Sequence, residues 1–146
     1  MAKGYPDFFG FSMFPYHGTS FIDSALHVVS PGDIDTLVSL DFKGIVTGGH
    51  LHIQVVASDQ LYQVNLTVDG SLICEVEGLN EQWVDNALLT GAPMRTILRS
   101  YQLKTANIEL AGAVSFQSEY KLSLWNNDPT RDVTCNSRLY YHHIQT

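Results

Sequence analysis

The feature that most constrains this chain is a two-residue hydrophobic period, interrupted at short intervals by turn chemistry. Val38, Leu40 and Phe42 alternate with Ser39, Asp41 and Lys43. Leu51, Ile53 and Val55 alternate with His50, His52 and Gln54, and Tyr62, Val64, Leu66 and Val68 with Gln63, Asn65 and Thr67. Successive side chains on a strand point to opposite faces, so each run predicts a strand with one buried and one solvated face. Strands of that kind belong to antiparallel sheets, because parallel strands are covered on both sides.

The punctuation fits the same picture. Ser30-Pro31-Gly32-Asp33 and Asn126-Asn127-Asp128-Pro129 carry loop chemistry, and Thr47-Gly48-Gly49 and Asp69-Gly70 predict hairpin turns. Leu72, Cys74 and Val76 continue as one face of the return strand after Asp69-Gly70. Strand patterns resume over 97–103, 108–110 and 114–116, and again at Tyr120, Leu122 and Leu124. The last run places Val133, Cys135, Leu139 and Tyr141 opposite Thr134, Asn136, Arg138 and Tyr140. About eight short strands at this spacing predict an all-β, antiparallel β-sandwich of jelly-roll type. Residues 79–94 break the rhythm; a short helix capped by Asn80 and an ordered loop both fit.

Two segments divide the chain: an irregular N-terminal arm over residues 1–22 and a sandwich domain over 23–146. The arm concentrates Tyr5, Phe8, Phe9, Phe11, Phe14 and Tyr16 among prolines and glycines, with neither helical nor strand periodicity. Its aromatic area must be buried, either on its own domain or on a neighbouring subunit; both remain open.

Composition narrows the function classes. Eight Lys and Arg against fifteen Asp and Glu give a net charge of −7, and the cations are scattered. Binding to nucleic acid draws on a basic face, so neither DNA or RNA nor an acidic membrane is an expected partner. Only 16% of residues are charged while 45% are apolar, which suits a subunit that buries exterior against its neighbours. No segment has transmembrane length and the N-terminus lacks the pattern of a secretion signal, so synthesis in a cytoplasm is expected. Cys74 and Cys135 lie in strand-like runs, and buried free thiols are expected rather than a disulfide. Asn65-Leu66-Thr67 has the form of a glycosylation acceptor but has no such role without secretion.

Candidate chemistry is sparse. His50-Leu51-His52 puts two imidazoles on one strand face, a spacing that can chelate a metal. With Gly44 upstream it resembles the start of a cupin motif. The glutamate that should follow is replaced by Val55, Val56 and Ala57, and no second motif exists. The pair also faces away from the core, so a solvated or interfacial face is expected, with no metal and no cofactor. Glu75 and Glu77 share a strand face and are expected to be solubilising. There is no nucleophile elbow, phosphate loop or dinucleotide fingerprint, so an enzyme is not expected. Trp125 and Tyr140 fall out of phase with the apolar positions and form a candidate ligand face for sugars or a protein partner.

The run Leu37-Val38-Ser39-Leu40-Asp41-Phe42-Lys43-Gly44-Ile45-Val46-Thr47-Gly48-Gly49 resembles the opening of small β-sandwich domains in structural proteins of tailed-phage and prophage virions. The similarity continues through Val68-Asp69-Gly70 and Leu122-Ser123-Leu124-Trp125-Asn126-Asn127 to Leu139-Tyr140-Tyr141. Asp7-Phe8-Phe9-Gly10 and Phe14-Pro15 likewise resemble openings of phage structural proteins. The resemblance implies a virion subunit, in a capsid decoration, fibre or tail, with no active site. Its partners would be other virion proteins and copies of itself, with a closed homotrimer as the first expectation. The alternative is a carbohydrate- or receptor-binding module using Trp125, Tyr140 or the 79–94 stretch; a cupin-like metal protein comes third.

Overall fold

The computed structural model describes residues 20–78, 84–85, 93–100, 102–110 and 113–144. The arm, with Tyr5, Phe8, Phe9, Phe11, Phe14 and Tyr16, and most of the 79–94 stretch lie outside the described residues.

The strands are β1 (Ser20–Val29), β2 (Ile34–Leu40), β3 (Gly44–Val55), β4 (Tyr62–Val68), β5 (Ser71–Gly78), β6 (Val84–Asp85), β7 (Met94–Ser100), β8 (Thr105–Leu110), β9 (Val114–Phe116), β10 (Tyr120–Asn126) and β11 (Val133–His143). Their pairing is nested about one tip. β4 pairs with β5, β3 with β8, β2 with β10 and β1 with β11, all antiparallel. The chain is thus one long ribbon doubled back at Asp69-Gly70. The ribbon then wraps on itself, because β10 also pairs with β4 and β11 also pairs with β3. The result is two sheets, ordered β1-β11-β3-β8-β7 (with β9 beside β3) and β2-β10-β4-β5-β6. This is a jelly roll with eight principal strands and three additional ones, of the all-β antiparallel class that the alternation predicts.

The core lies between the sheets. Leu51, Ile53, Ile108, Leu110, Val133 and Leu139 from one sheet meet Val64, Leu66, Val76, Tyr120, Leu122 and Leu124 from the other. The tip carries φ of 51° at Asp69 and 85° at Gly70, positive at both central positions as a two-residue hairpin with matching twist requires. The Asp69 carboxylate also accepts hydrogen bonds from the backbone N–H of Gln117, Ser118 and Glu119, at 3.0, 2.7 and 3.0 Å. It ties the ribbon tip to the β9–β10 turn. Those donors hold its pKa down at about 2, against an ordinary 3.8. A depressed carboxylate stabilises the fold above its unfolded pKa and loses that contribution as pH falls. The Asp69 contribution should therefore vanish between about pH 4 and about pH 2. Urea midpoints across that window should fall less steeply for Asp69→Asn than for wild type; parallel curves would reject the assignment.

The structure departs from the sequence expectations at several points. Thr47-Gly48-Gly49 is not a turn but the middle of β3, where Gly48 faces Tyr140 and Gly49 faces Leu139. Pairing skips Thr47, which bulges, and a Cβ on Gly49 would collide with the Arg138 carbonyl. The glycines serve close backbone approach rather than chain reversal. Leu72 leaves the core face because Ile73 is an extra residue on β5, so Leu72 pairs with Thr67 and turns outward. The strand read over 97–103 runs instead over Met94–Ser100, with a turn at Lys104 (φ 58°). Within the 79–94 stretch, Val84–Asp85 pairs with β5 as a strand, so no single helix spans it. β1 begins at Ser20, inside the stretch assigned to the arm, and escapes the alternation pattern because two residues bulge between Ser24 and His27.

Candidate interaction surfaces

Outward-facing residues of the β1-β11-β3-β8-β7 sheet form cross-strand rows. In one row Asp23, Arg138, His50, Glu109 and Arg95 are successive register partners. Arg138 donates from Nε and Nη2 to the two Asp23 carboxylate oxygens at 2.6 and 2.7 Å, and Arg95 Nε donates to Glu109 at 3.0 Å. The Asp23 carboxylate, and after it the Tyr140 hydroxyl, hold the Arg138 guanidinium well above its ordinary range. In the next row Asn136, His52 and Asn107 are partners, with His52 Nδ1 2.8 Å from Asn107 Oδ1. His50 and His52 thus point away from the core, as the alternation predicts, into a shallow depression shared with Asp23, Asn107, Asn136 and Arg138. Among the described residues no three His, Cys, Asp or Glu side chains converge on a metal position.

Tyr140 lies on this same face, 6.3 Å from Phe21 between ring centroids. The Arg138 guanidinium sits 4.6 Å from the Phe21 ring centroid, a cation–π contact that occupies the aromatic pair. Trp125 is on the other sheet, outward from β10, beside a small hollow with Leu61, Tyr62, Gln63, Glu77 and Asn127. Gln63 Nε2 donates to Glu75 at 2.7 Å and to Glu77 at 3.3 Å, so one amide bridges the two acids. Trp125 and Tyr140 therefore occupy opposite outer surfaces of the sandwich. They are not parts of one ligand face.

Cys74 and Cys135 are buried free thiols on different sheets. Burial pushes the Cys135 thiol up to about 12, which keeps it protonated and inert.

The surfaces that periodicity did not reveal are the sandwich flanks. Phe21, Leu26 and Val28 on β1 and Ile34 on β2 are more than half exposed, and these two strands are the edges of their sheets on one side. On the other side the edge strand β7 exposes Ile97 and Leu98 to the same degree. Exposed apolar side chains on edge strands invite a partner. Their signal in the sequence was the apolar residues left over from the core faces, and assigning those requires the strand register.

No family model matches the chain, and no curated protein matches it in sequence. Among solved structures, it is similar to a chain of the cyanophage Pam1 capsid asymmetric unit, with 13% identity, a TM-score of 0.49, and 89% of this chain and 87% of that one covered. It is similar also to a chain of the acid-stable capsid of Helicobacter pylori bacteriophage KHP30, with 13% identity, a TM-score of 0.38, and coverage of 86% and 93%. A third similarity is to VP2 of the infectious bursal disease virus subviral particle, at 12% identity and a TM-score of 0.31, spanning 88% of this chain and 42% of VP2. Similarities of this strength carry no functional weight, and the jelly roll stands on its strand pairing.

Proposed function

We propose that this chain is a structural subunit of a tailed-phage virion, in a capsid decoration, fibre or tail, and that it assembles with copies of itself. The observation that carries the reading is the pair of apolar flanks. Exposed Phe21, Leu26, Val28 and Ile34 on one side and Ile97 and Leu98 on the other leave surface that burial between side-by-side subunits would remove from water. Two different flanks meeting head to tail close into a ring, and a homotrimer is the smallest such ring beyond a dimer. The jelly roll itself is a fold of capsid and lectin domains alike, so it supports the reading by analogy only. In this reading the arm, through Tyr5, Phe8, Phe9, Phe11, Phe14 and Tyr16, anchors the subunit to a neighbouring virion protein. No residue is assigned a catalytic step.

The test has two stages. Particles purified from the native source on a density gradient should carry this chain in near-stoichiometric ratio to the major capsid or tail proteins. A protein that stays at the top of the gradient would reject the virion reading. Deleting the residues before Thr19 should leave the sandwich folded and abolish incorporation; incorporation at the normal level would reject the anchoring role of the arm.

A further inference from the structure

The outward face of the β1-β11-β3-β8-β7 sheet has a symmetry that follows from its register. β3 is the central strand, with β11 and β1 on one side and β8 and β7 on the other. Along the first row the charges run negative at Asp23, positive at Arg138, His50 at the centre, negative at Glu109 and positive at Arg95. Reversing the row about His50 sets every charge against its opposite. The second row, Asn136-His52-Asn107, has an asparagine on each side of a central histidine, with Leu98 beyond Asn107 and the β1 bulge beyond Asn136. The third, Val28-Thr134-Gln54-Thr105-Ser100, has a threonine on each side of a central glutamine, with a valine and a serine at its ends. All these side chains are exposed or half-exposed.

From this pattern we infer that the face docks on the same face of a second copy, related by a twofold axis running along β3. A twofold rotation about an in-plane axis parallel to the strands turns one sheet over and reverses its rows while keeping each row level with itself. Arg138 then meets Glu109 of the second copy, and Asp23 meets Arg95 of the second copy. Asn136 meets Asn107 and Thr134 meets Thr105, pairs in which each side chain can both donate and accept. His50, His52 and Gln54 on the axis meet their own counterparts. This is an isologous contact, in which one patch serves both subunits. It does not rest on the virion reading, although Val28 and Leu98 at its margins also belong to the flanks described above; the cross-linking below reads the twofold arrangement alone.

Its size sets its strength. Five strands spaced about 4.8 Å apart and three rows about 6.8 Å apart cover roughly 500 Å² per copy with their side chains. A standard stable interface covers about 800 Å² per partner. The contact is polar across its centre with apolar Val28 and Leu98 at its margins; it is weak in isolation and sensitive to salt, and it gains strength only where copies are held close by other contacts.

Position-specific cross-linking reads such a contact directly. Both native cysteines are buried, so the wild-type full chain should give little product with a short bismaleimide. In His50→Cys the new thiol sits on the axis and faces its own copy. Lys121→Cys, on the outward face of the other sheet, is the control for random collision. Dimer yield at position 50 should exceed that at position 121 by about tenfold or more. It should collapse in about 1 M salt, where the Debye length is only about 3 Å. Equal yields at the two positions, or a yield at position 50 that salt leaves unchanged, would overturn the proposal. In the His50→Cys background, Arg95→Glu sets like charges against Asp23 of the second copy and should cut the yield several-fold; an unchanged yield would reject the twofold register.

Discussion

Replacing Asn126 by alanine should lower the stability of the fold by about 3–4 kcal/mol, because one side chain satisfies three backbone groups, two of them buried and one part-buried. Its Nδ2 donates to the carbonyls of Val29 and Arg131, both at 2.8 Å, and its Oδ1 accepts from Asp128 N–H at 3.0 Å. The backbone of Asn126 adds two more ties, accepting from Gly32 N–H and donating to Asp33, both at 2.9 Å. This one residue therefore joins the end of β1, the β1–β2 turn and the β10–β11 loop. Alanine would keep the backbone ties and remove this partner from the buried Val29 carbonyl and Asp128 N–H and from the part-buried Arg131 carbonyl, each loss costing about 1–3 kcal/mol before relaxation. The neighbouring Asn127 is exposed, and Asn127→Ala should stay within about 0.5 kcal/mol of wild type. Urea denaturation with unchanged slope and a strongly lowered midpoint is the expected result for Asn126→Ala. A loss no larger than that of Asn127→Ala would mean that the loop finds other partners.

Gly49→Ala should be nearly as damaging, by about 3 kcal/mol or more, because backbone cannot move aside as a flexible side chain can. A Cβ there would meet the Arg138 carbonyl, with Leu110 Cδ1 and Leu139 Cα each at 3.1 Å, in a residue whose φ of 155° already disfavours a side chain. Gly32 supplies the comparison. Its φ is 81°, yet nothing lies within 4 Å of its missing Cβ. Gly32→Ala therefore meets only the conformational penalty of about 1–2 kcal/mol. Thermal unfolding of the two variants side by side separates strain from collision. Equal losses would show that β3 and β11 can part at the bulge without cost.

The two predictions fall on opposite sides of what the chain discloses before folding. The alternation in 38–42, 51–55, 62–68 and 120–124 identifies strands and their buried faces, and the Asp69-Gly70 pair identifies the ribbon tip. Both are local properties, governed by the pleat and by the φ preferences of two residues. Gly48-Gly49 carries the same local chemistry as a turn, and only its partners on β11 and β8 make it a strand. Leu72 has the right period for the core, but a single extra residue at Ile73 reverses its face. β1 is hidden for a related reason, since its bulge scrambles the period that would reveal it.

The candidate surfaces divide the same way. That His50 and His52 leave the core was legible from Leu51 and Ile53 on either side. That Trp125 and Tyr140 part company was not, because the separation depends on which sheet each strand joins. Asp23, Arg138, His50, Glu109 and Arg95 are scattered over most of the domain, and no spacing rule connects them. By itself the sequence determined the strand faces, the tip of the ribbon and the all-β class, because these follow from the geometry of a few adjacent residues. Only the tertiary structure decided the sheet membership, the bulges and the charged row. These depend on register between distant strands, which the packing of the whole core selects.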